Sequence, residues 1–223
     1  MFRELYTALT SENTLEKAYS ALTEMLDHTS WMFIRANDVL RNTARARDVR
    51  DSIYARDRAV NALERSIRRK VLRHLTINPG YDVAIGLALM SVAKDAERIG
   101  DYCKNVFEVG ECYRHGFHLP RYQEPLDRVA EQTVEMFRMV SDASRGGGED
   151  RAEAALVQAQ EIRGQCDRII HMLFNEEDTI EFHEAVAYSL LARHYKRVAA
   201  HLANIATALL GQFEDLDFYD EAE

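Results

Sequence analysis

Glu97 and Asp101 stand four residues apart in the stretch Lys94-Asp95-Ala96-Glu97-Arg98-Ile99-Gly100-Asp101-Tyr102. In a helix, at about 100° per residue, such positions lie one above the other on the same face. Two stacked carboxylates repel by roughly a few tenths of a kcal/mol unless a cation sits between them. Asp57, Asn61 and Glu64, at i, i+4 and i+7, make a second acidic face on an earlier segment. Oxygen donors of this kind suit hard or borderline cations, and one helix supplies too few of them for an ion that takes six or more. The segments are joined by Asn78-Pro79-Gly80, a tight turn that makes them antiparallel neighbours and lets the faces meet. Glu97, Asp101, Asp57 and Asn61 are therefore the candidate ligands of a transition or divalent cation. The plainer reading is two solvated faces neutralised by Lys104 and Arg68.

Three further groups could carry chemistry. Arg193, Lys196 and Arg197 make one face of the last helical segment basic, a candidate surface for a phosphate or an acidic partner. The plainer reading is again a solvated face. His183, His194 and His201 follow one line at i, i+11 and i+18, too far apart for one helix to clamp one ion, and read as residues flanking the core. Arg41, Arg45, Arg47 and Arg50 cluster near the first turn. Cys103, Cys112 and Cys166 show no metal or redox spacing, which points to a reducing cytoplasm.

The elements that must position these residues are helices. The chain has 223 residues, 47% hydrophobic and 29% charged, with only 3 Pro and 10 Gly, so long segments run without a breaker. No alternating β-branched run is present, no leader is legible, and no stretch is long and apolar enough to cross a bilayer. The net charge of −9 argues against nucleic acid as a partner, since phosphate binding needs a basic face.

Periodicity predicts six helices: Thr14 to Thr43, Asp48 to Leu75, Tyr81 to Arg114, one opening at Pro120, Glu149 to Phe174 and Thr179 to Gln212. Ser11 or Asn13 is the expected cap of the first, and Ser144-Arg145-Gly146-Gly147-Gly148 breaks the fourth from the fifth. Sliding the chain on itself lays Glu97-Arg98-Ile99-Gly100-Asp101-Tyr102 over Lys196-Arg197-Val198-Ala199-Ala200-His201, with Asn105-Val106 over Asn204-Ile205. That recurrence predicts a duplicated three-helix unit: residues 1–116, residues 117–213, then an acidic tail, 214–223. Lys196 and Ala200 stand where the first repeat has its carboxylates, so a cation is expected in the first repeat only.

On these residues the chain resembles the PhoU family of phosphate-uptake regulators. The family pattern is a carboxylate-bearing second helix, a proline turn, an Asp after it and Glu-Arg-Ile-Gly-Asp late in the third helix. It is met by Asp57, Asn61 and Glu64, by Pro79, by Asp82 and by Glu97 to Asp101. Where many members have Asp-Leu-Arg after the turn, this chain has Asp82-Val83-Ala84. The resemblance implies an all-α fold of two tandem three-helix bundles related by pseudo-twofold symmetry. It implies iron, zinc or another divalent cation at the Glu-x-x-x-Asp motif, and assembly into a dimer or other homo-oligomer. It implies a cytoplasmic negative regulator of phosphate transport and homeostasis, peripheral to the membrane through its partners. Those partners are the ATPase of a phosphate ABC transporter and a membrane histidine kinase.

Two rival classes are a carboxylate-bridged metal enzyme in a helical bundle and a helical adaptor for another transporter. The first needs Glu and Glu-x-x-His pairs projecting inward. The chain has no Glu-x-x-His, and its acids are expected off the apolar stripes. No nucleophile–base set or glycine-rich phosphate loop is legible either, so no catalysis is expected.

Overall fold

The structure, a computed structural model, describes residues 14–77, 80, 82–176 and 178–218. Among them are six α-helices: α1 Thr14–Leu40, α2 Ala46–Ile77, α3 Val83–Cys112, α4 Pro120–Ser144, α5 Glu149–Phe174 and α6 Phe182–Leu209. A 3-10 turn, Phe213–Asp215, follows. The expected caps Ser11 and Asn13, and Asn78 and Pro79 of the second turn, lie outside the described residues.

Each helix buries an apolar stripe at helical spacing. Leu15, Ala18, Leu22, Met25 and Leu26 of α1 meet Val60, Ile67 and Val71 of α2 and Leu89, Val92, Ala96, Ile99 and Cys103 of α3 in one core. In the second unit Leu126, Val129, Met136 and Val140 of α4 pack with Ala155, Ile162 and Ile169 of α5 and Leu191, Tyr195, Val198 and Leu202 of α6. The units are joined chiefly by α3 against α6, with α1 against α4 beside it.

Several helices stop short of their apolar pattern for local reasons. α1 ends at Leu40 instead of Thr43 because Asn42 turns left-handed, with φ 55°, and the Thr43 hydroxyl and Ala44 N–H both donate to the Asp38 carbonyl. α6 begins at Phe182 and ends at Leu209, inside the expected Thr179 to Gln212; Gly211 follows with φ 77°. The glycine break is required where it stands: a Cβ on Gly147 would lie 2.7 Å from the Asp142 carbonyl oxygen, and Gly148 has φ 96°.

α6 starts 99 residues after α3, at Phe182 against Val83, and the offset carries contacts as well as sequence. Asp95 of α3 meets His201 of α6, and Tyr102 of α3 meets His194 of α6. Adding the offset to 95 and 102 gives 194 and 201. The same two positions thus touch twice, once from each side, as a pseudo-twofold axis between antiparallel α3 and α6 requires.

Candidate cation site of the first repeat and its counterpart

α2 and α3 run antiparallel, and their outer edges form a ladder. Glu64 lies beside Glu97. Asp57 is joined to Asp101 through Lys104. Further along, the Tyr54 hydroxyl donates to Glu108 at 2.8 Å, and Arg50 pairs with Glu111. The register places Asn61 opposite Gly100. The faces predicted from spacing therefore do meet, at the edge of the core.

A side-chain cation already stands among them. Lys104 Nζ is 3.1 Å from Asp57 Oδ1 and 3.1 Å from Asp101 Oδ1. Arg98 reaches Glu97 at 3.7 Å and Asp101 at 3.5 Å, and Arg68 reaches Glu64 at 2.6 Å. Burial disfavours the Lys104 ammonium, but its hydrogen bonds to Asp101 and Asp57 outweigh this and its pKa lies above the usual lysine value. The Glu97 carboxyl is raised above the usual glutamate value. Partial burial is the largest cause and Asp101 the next; Arg98 opposes the shift, and Glu64 and Asp57 add to it. The acidic residues thus feel one another even with the bases present.

The donor set fits a hard cation: carboxylates from two rigid helices and one amide oxygen, all partly shielded from water. Its present spacing suits the ammonium. Among the described residues no three His, Cys, Asp or Glu side chains stand close enough together to hold a metal ion. Lys104 is the competitor any metal would displace from Asp57 and Asp101.

In the second repeat the exchange of Glu97 for Lys196 is complemented from the neighbouring helix. Lys196 Nζ lies 2.6 and 2.8 Å from the two oxygens of Asp167 on α5. By register Asp167 takes the place of Glu64, so a pair of like charges has become an ion pair. Ala200 brings no ligand. Of the expected basic surface, Lys196 is paired within the fold, and Arg193 and Arg197 are exposed.

The histidines are dispersed. His201 binds Asp95, and His194 packs on Tyr102 with its pKa lowered by burial, against a smaller opposing effect of Glu108. His183 is exposed on α6.

The expectation that the acids lie off the apolar stripes fails at two residues. Asp95 and Glu184 are both buried. Glu184 accepts from the His118 backbone N–H at 2.6 Å and the Tyr188 hydroxyl at 2.8 Å, fastening the inter-repeat connection to α6. Asp95 joins the repeats. It lies between Val92 and Ala96 of the apolar stripe, which accounts for its burial, while its partner comes from the other repeat.

The PhoU domain pattern matches residues 22–109 and 126–209 of this chain. The chain belongs to the PhoU family. Relatives include the "Phosphate-specific transport system accessory protein PhoU homolog" of two Xylella fastidiosa strains, Temecula1 and 9a5c. Each is 27% identical over 169 residues, which span 72% of this chain and 68% and 69% of the respective relatives. The crystal structure of PhoU from Pseudomonas aeruginosa superposes with a TM-score of 0.79 at 20% identity, covering 89% of this chain and 98% of the other. The phosphate transport system regulatory protein PhoU from Streptococcus pneumoniae gives 0.73 at 17%, covering 91% and 97%. The all-α fold of two three-helix repeats is the PhoU fold.

Proposed function

We propose that this PhoU-family protein restrains phosphate uptake and phosphate-starvation signalling by binding other proteins, not by turnover. The observation that carries the reading is the match of both repeats to the PhoU domain, together with relatives named as accessory proteins of the phosphate-specific transport system. The partners in this reading are the ATPase of a phosphate ABC transporter and a membrane histidine kinase. The protein works in the cytoplasm and is peripheral to the membrane through them. No helix among the described residues is long and apolar enough to cross a membrane. Exposed Arg193 and Arg197 supply a basic docking face, and the α2–α3 edge an acidic one. Charged faces of this kind set partner choice and association rate more than affinity.

A divalent cation such as iron or zinc at Asp57, Asn61, Glu97 and Asp101 belongs to the same reading. Bound there, it would neutralise the acidic edge and tie α2 to α3. Elemental analysis of protein purified without chelator is expected to find metal in the parent and little in Glu97→Gln/Asp101→Asn. The regulatory role is tested in a deletion strain complemented with the parent or with Arg193→Glu/Arg197→Glu. Reporter output at high phosphate is expected to rise on deletion, fall with the parent and stay raised with the variant. Unchanged output and uptake on deletion would overturn the reading and favour an adaptor for another transporter.

A further inference from the structure

The arginines clustered at the first turn divide by partner. Arg41 reaches α4, at 2.9 Å from Asp127 and 3.3 Å from Glu131, and Arg50 bonds both carboxylate oxygens of Glu111 on α3. The Arg45 guanidinium has no hydrogen bond or ion pair among the described residues. Arg47 meets its neighbour Asp48 at 3.5 Å, between side chains 73% and 63% exposed, a pair worth little. Arg114, just past α3, donates Nε to the Glu111 carbonyl at 2.9 Å and makes no ion pair among the described residues.

Arg45, Arg47 and Arg114 line one open cleft of about 520 Å³, between the end of α1, the start of α2 and the end of α3. Small-molecule sites have this size. The acid in its lining is Glu111, whose carboxylate Arg50 already holds; Asp48 and Asp51 lie outside the lining.

The backbone adds donors. α2 is a 32-residue helix that starts at Ala46, and Arg45 stands where a Ser, Thr, Asp or Asn would accept from the first N–H groups. Ala46 and Arg47, whose N–H groups have no acceptor within the helix, both line the cleft, at the positive end of the helix dipole. α1 and α3 end at the same place, but carbonyls there already accept: Asp38 from Thr43 and Ala44, Val109 from Tyr113, and Glu111 from Arg114. The second repeat has no such arrangement at its own first turn. There α5 opens on Glu149 and Asp150, and Arg145 bonds Asp27. The basic cleft thus belongs to these residues and not to the fold.

We propose that this cleft binds a small anion of linked phosphate groups, of the pyrophosphate or tripolyphosphate kind. Guanidinium forks and helix N–H groups both match phosphate oxygens. Three arginines outnumber the charges of one orthophosphate, and no aromatic ring lines the cleft to give a nucleobase a platform. The chain's net charge of −9 repels polyanions in general, so binding must be local. The site is argued from the cleft alone and stands or falls apart from the regulatory reading.

The test is titration calorimetry of the full chain with sodium tripolyphosphate, without divalent cations. One site is expected, weaker as ionic strength rises. Arg45→Gln/Arg114→Gln is expected to lower the affinity at least about tenfold. Arg65→Gln/Arg69→Gln makes the same change of charge at exposed α2 positions outside the cleft and is expected to stay within about twofold of the parent. Thermal melts check that the variants fold. Arg45→Gln alone removes a side chain without a partner, so it keeps the fold and still weakens binding. ATP is expected to bind as tripolyphosphate does, and orthophosphate more weakly. Absence of binding overturns the proposal, as does an equal loss in the two double variants, which marks diffuse attraction. ATP binding well above tripolyphosphate overturns it too, since the base would then carry the recognition.

Discussion

His201 Nδ1 lies 2.8 Å from Oδ1 of Asp95, a carboxylate with a side-chain exposure of 1% that reaches across the boundary between the repeats. The pseudo-twofold places Tyr102 and His194 at the same two positions, with rings 5.8 Å apart. The seam therefore has one polar arm and one aromatic arm. Asn204 Nδ2 donates to the same Asp95 oxygen at 3.1 Å and to Asp217 Oδ1 at 2.6 Å, drawing the segment after α6 onto the seam. The second oxygen of Asp95 has no hydrogen-bond partner among the described residues.

A buried polar pair is worth little net but costs much to break, because the survivor is left without a partner. Asp95→Leu and His201→Phe are each expected to lower stability by about 2–4 kcal/mol. The His201 ring also stacks on Tyr102, with centroids 5.8 Å apart, and Phe at 201 retains that stack, so the double variant is expected to lie closer to the parent than the sum of the singles. Urea unfolding of the four proteins measures this. Additivity within about 0.5 kcal/mol would mean that the two side chains act separately.

Stability should depend on pH through two groups shifted in opposite directions. Glu97 has a folded pKa above its ordinary 4.5, so the folded chain binds its proton more readily than the unfolded one. Its contribution is present below about 4.5 and is lost as pH rises through the folded value. His194 has a folded pKa below its ordinary 6.5, so its contribution is present above 6.5 and is lost as pH falls through the folded value. Glu97→Gln is expected to stabilise the protein at neutral pH by roughly a few tenths of a kcal/mol. His194→Gln is expected to flatten the decline on the acid side of 6.5. Thermal melts across pH 4 to 8 separate the two, within roughly the span where carboxylates and histidines titrate.

Lys104 holds Asp57 and Asp101 together, so its removal exposes the repulsion it suppresses. Lys104→Ala is expected to cost about 1 kcal/mol in chelator, the scale of a partly exposed pair at its upper end. If the acidic edge takes a divalent cation, manganese or zinc should restore the melting temperature of Lys104→Ala more than it raises that of the parent. Glu97→Gln/Asp101→Asn should abolish the effect. Equal responses in the parent and Lys104→Ala would show that the lysine does not compete for the site.

Much of this was legible in the sequence where the signal is periodic. α5 runs Glu149–Phe174 as spacing predicts, and Glu97 and Asp101 share a face because i, i+4 geometry leaves them little choice. Charge compensation was harder to read, because a partner's position along the facing helix depends on register. Lys196 looked like part of a surface until Asp167, 29 residues away, met it from α5. Asp95 was hidden for another reason. Two residues from Glu97, it faces the opposite way, and its partner His201 is 106 residues distant, so its role emerges only when the repeats pack.

Gly100 lies within the motif that carries the family resemblance, yet its packing does not demand glycine. A Cβ there would meet Val60 at 3.5 Å and Thr29 at 3.6 Å, ordinary contact distances, and α6 has Ala199 at the corresponding position. Alanine in a helix interior is favoured over glycine by about 0.5–1 kcal/mol, partly because the unfolded chain loses freedom. Gly100→Ala is therefore expected to raise the melting temperature by about 1–4 °C for a chain of this size. Gly86→Ala should lack this gain, since its Cβ would lie 2.9 Å from Leu75 Cδ1 and 3.1 Å from Val71 Cγ1. Gly147→Ala should fall below the parent, because the obstacle is backbone, the Asp142 carbonyl at 2.7 Å, which cannot rotate away. Calorimetry of the three variants checks the order. A destabilised Gly100→Ala would mean that α1 or α2 approaches α3 more closely at this rung than the contacts of Thr29 and Val60 imply.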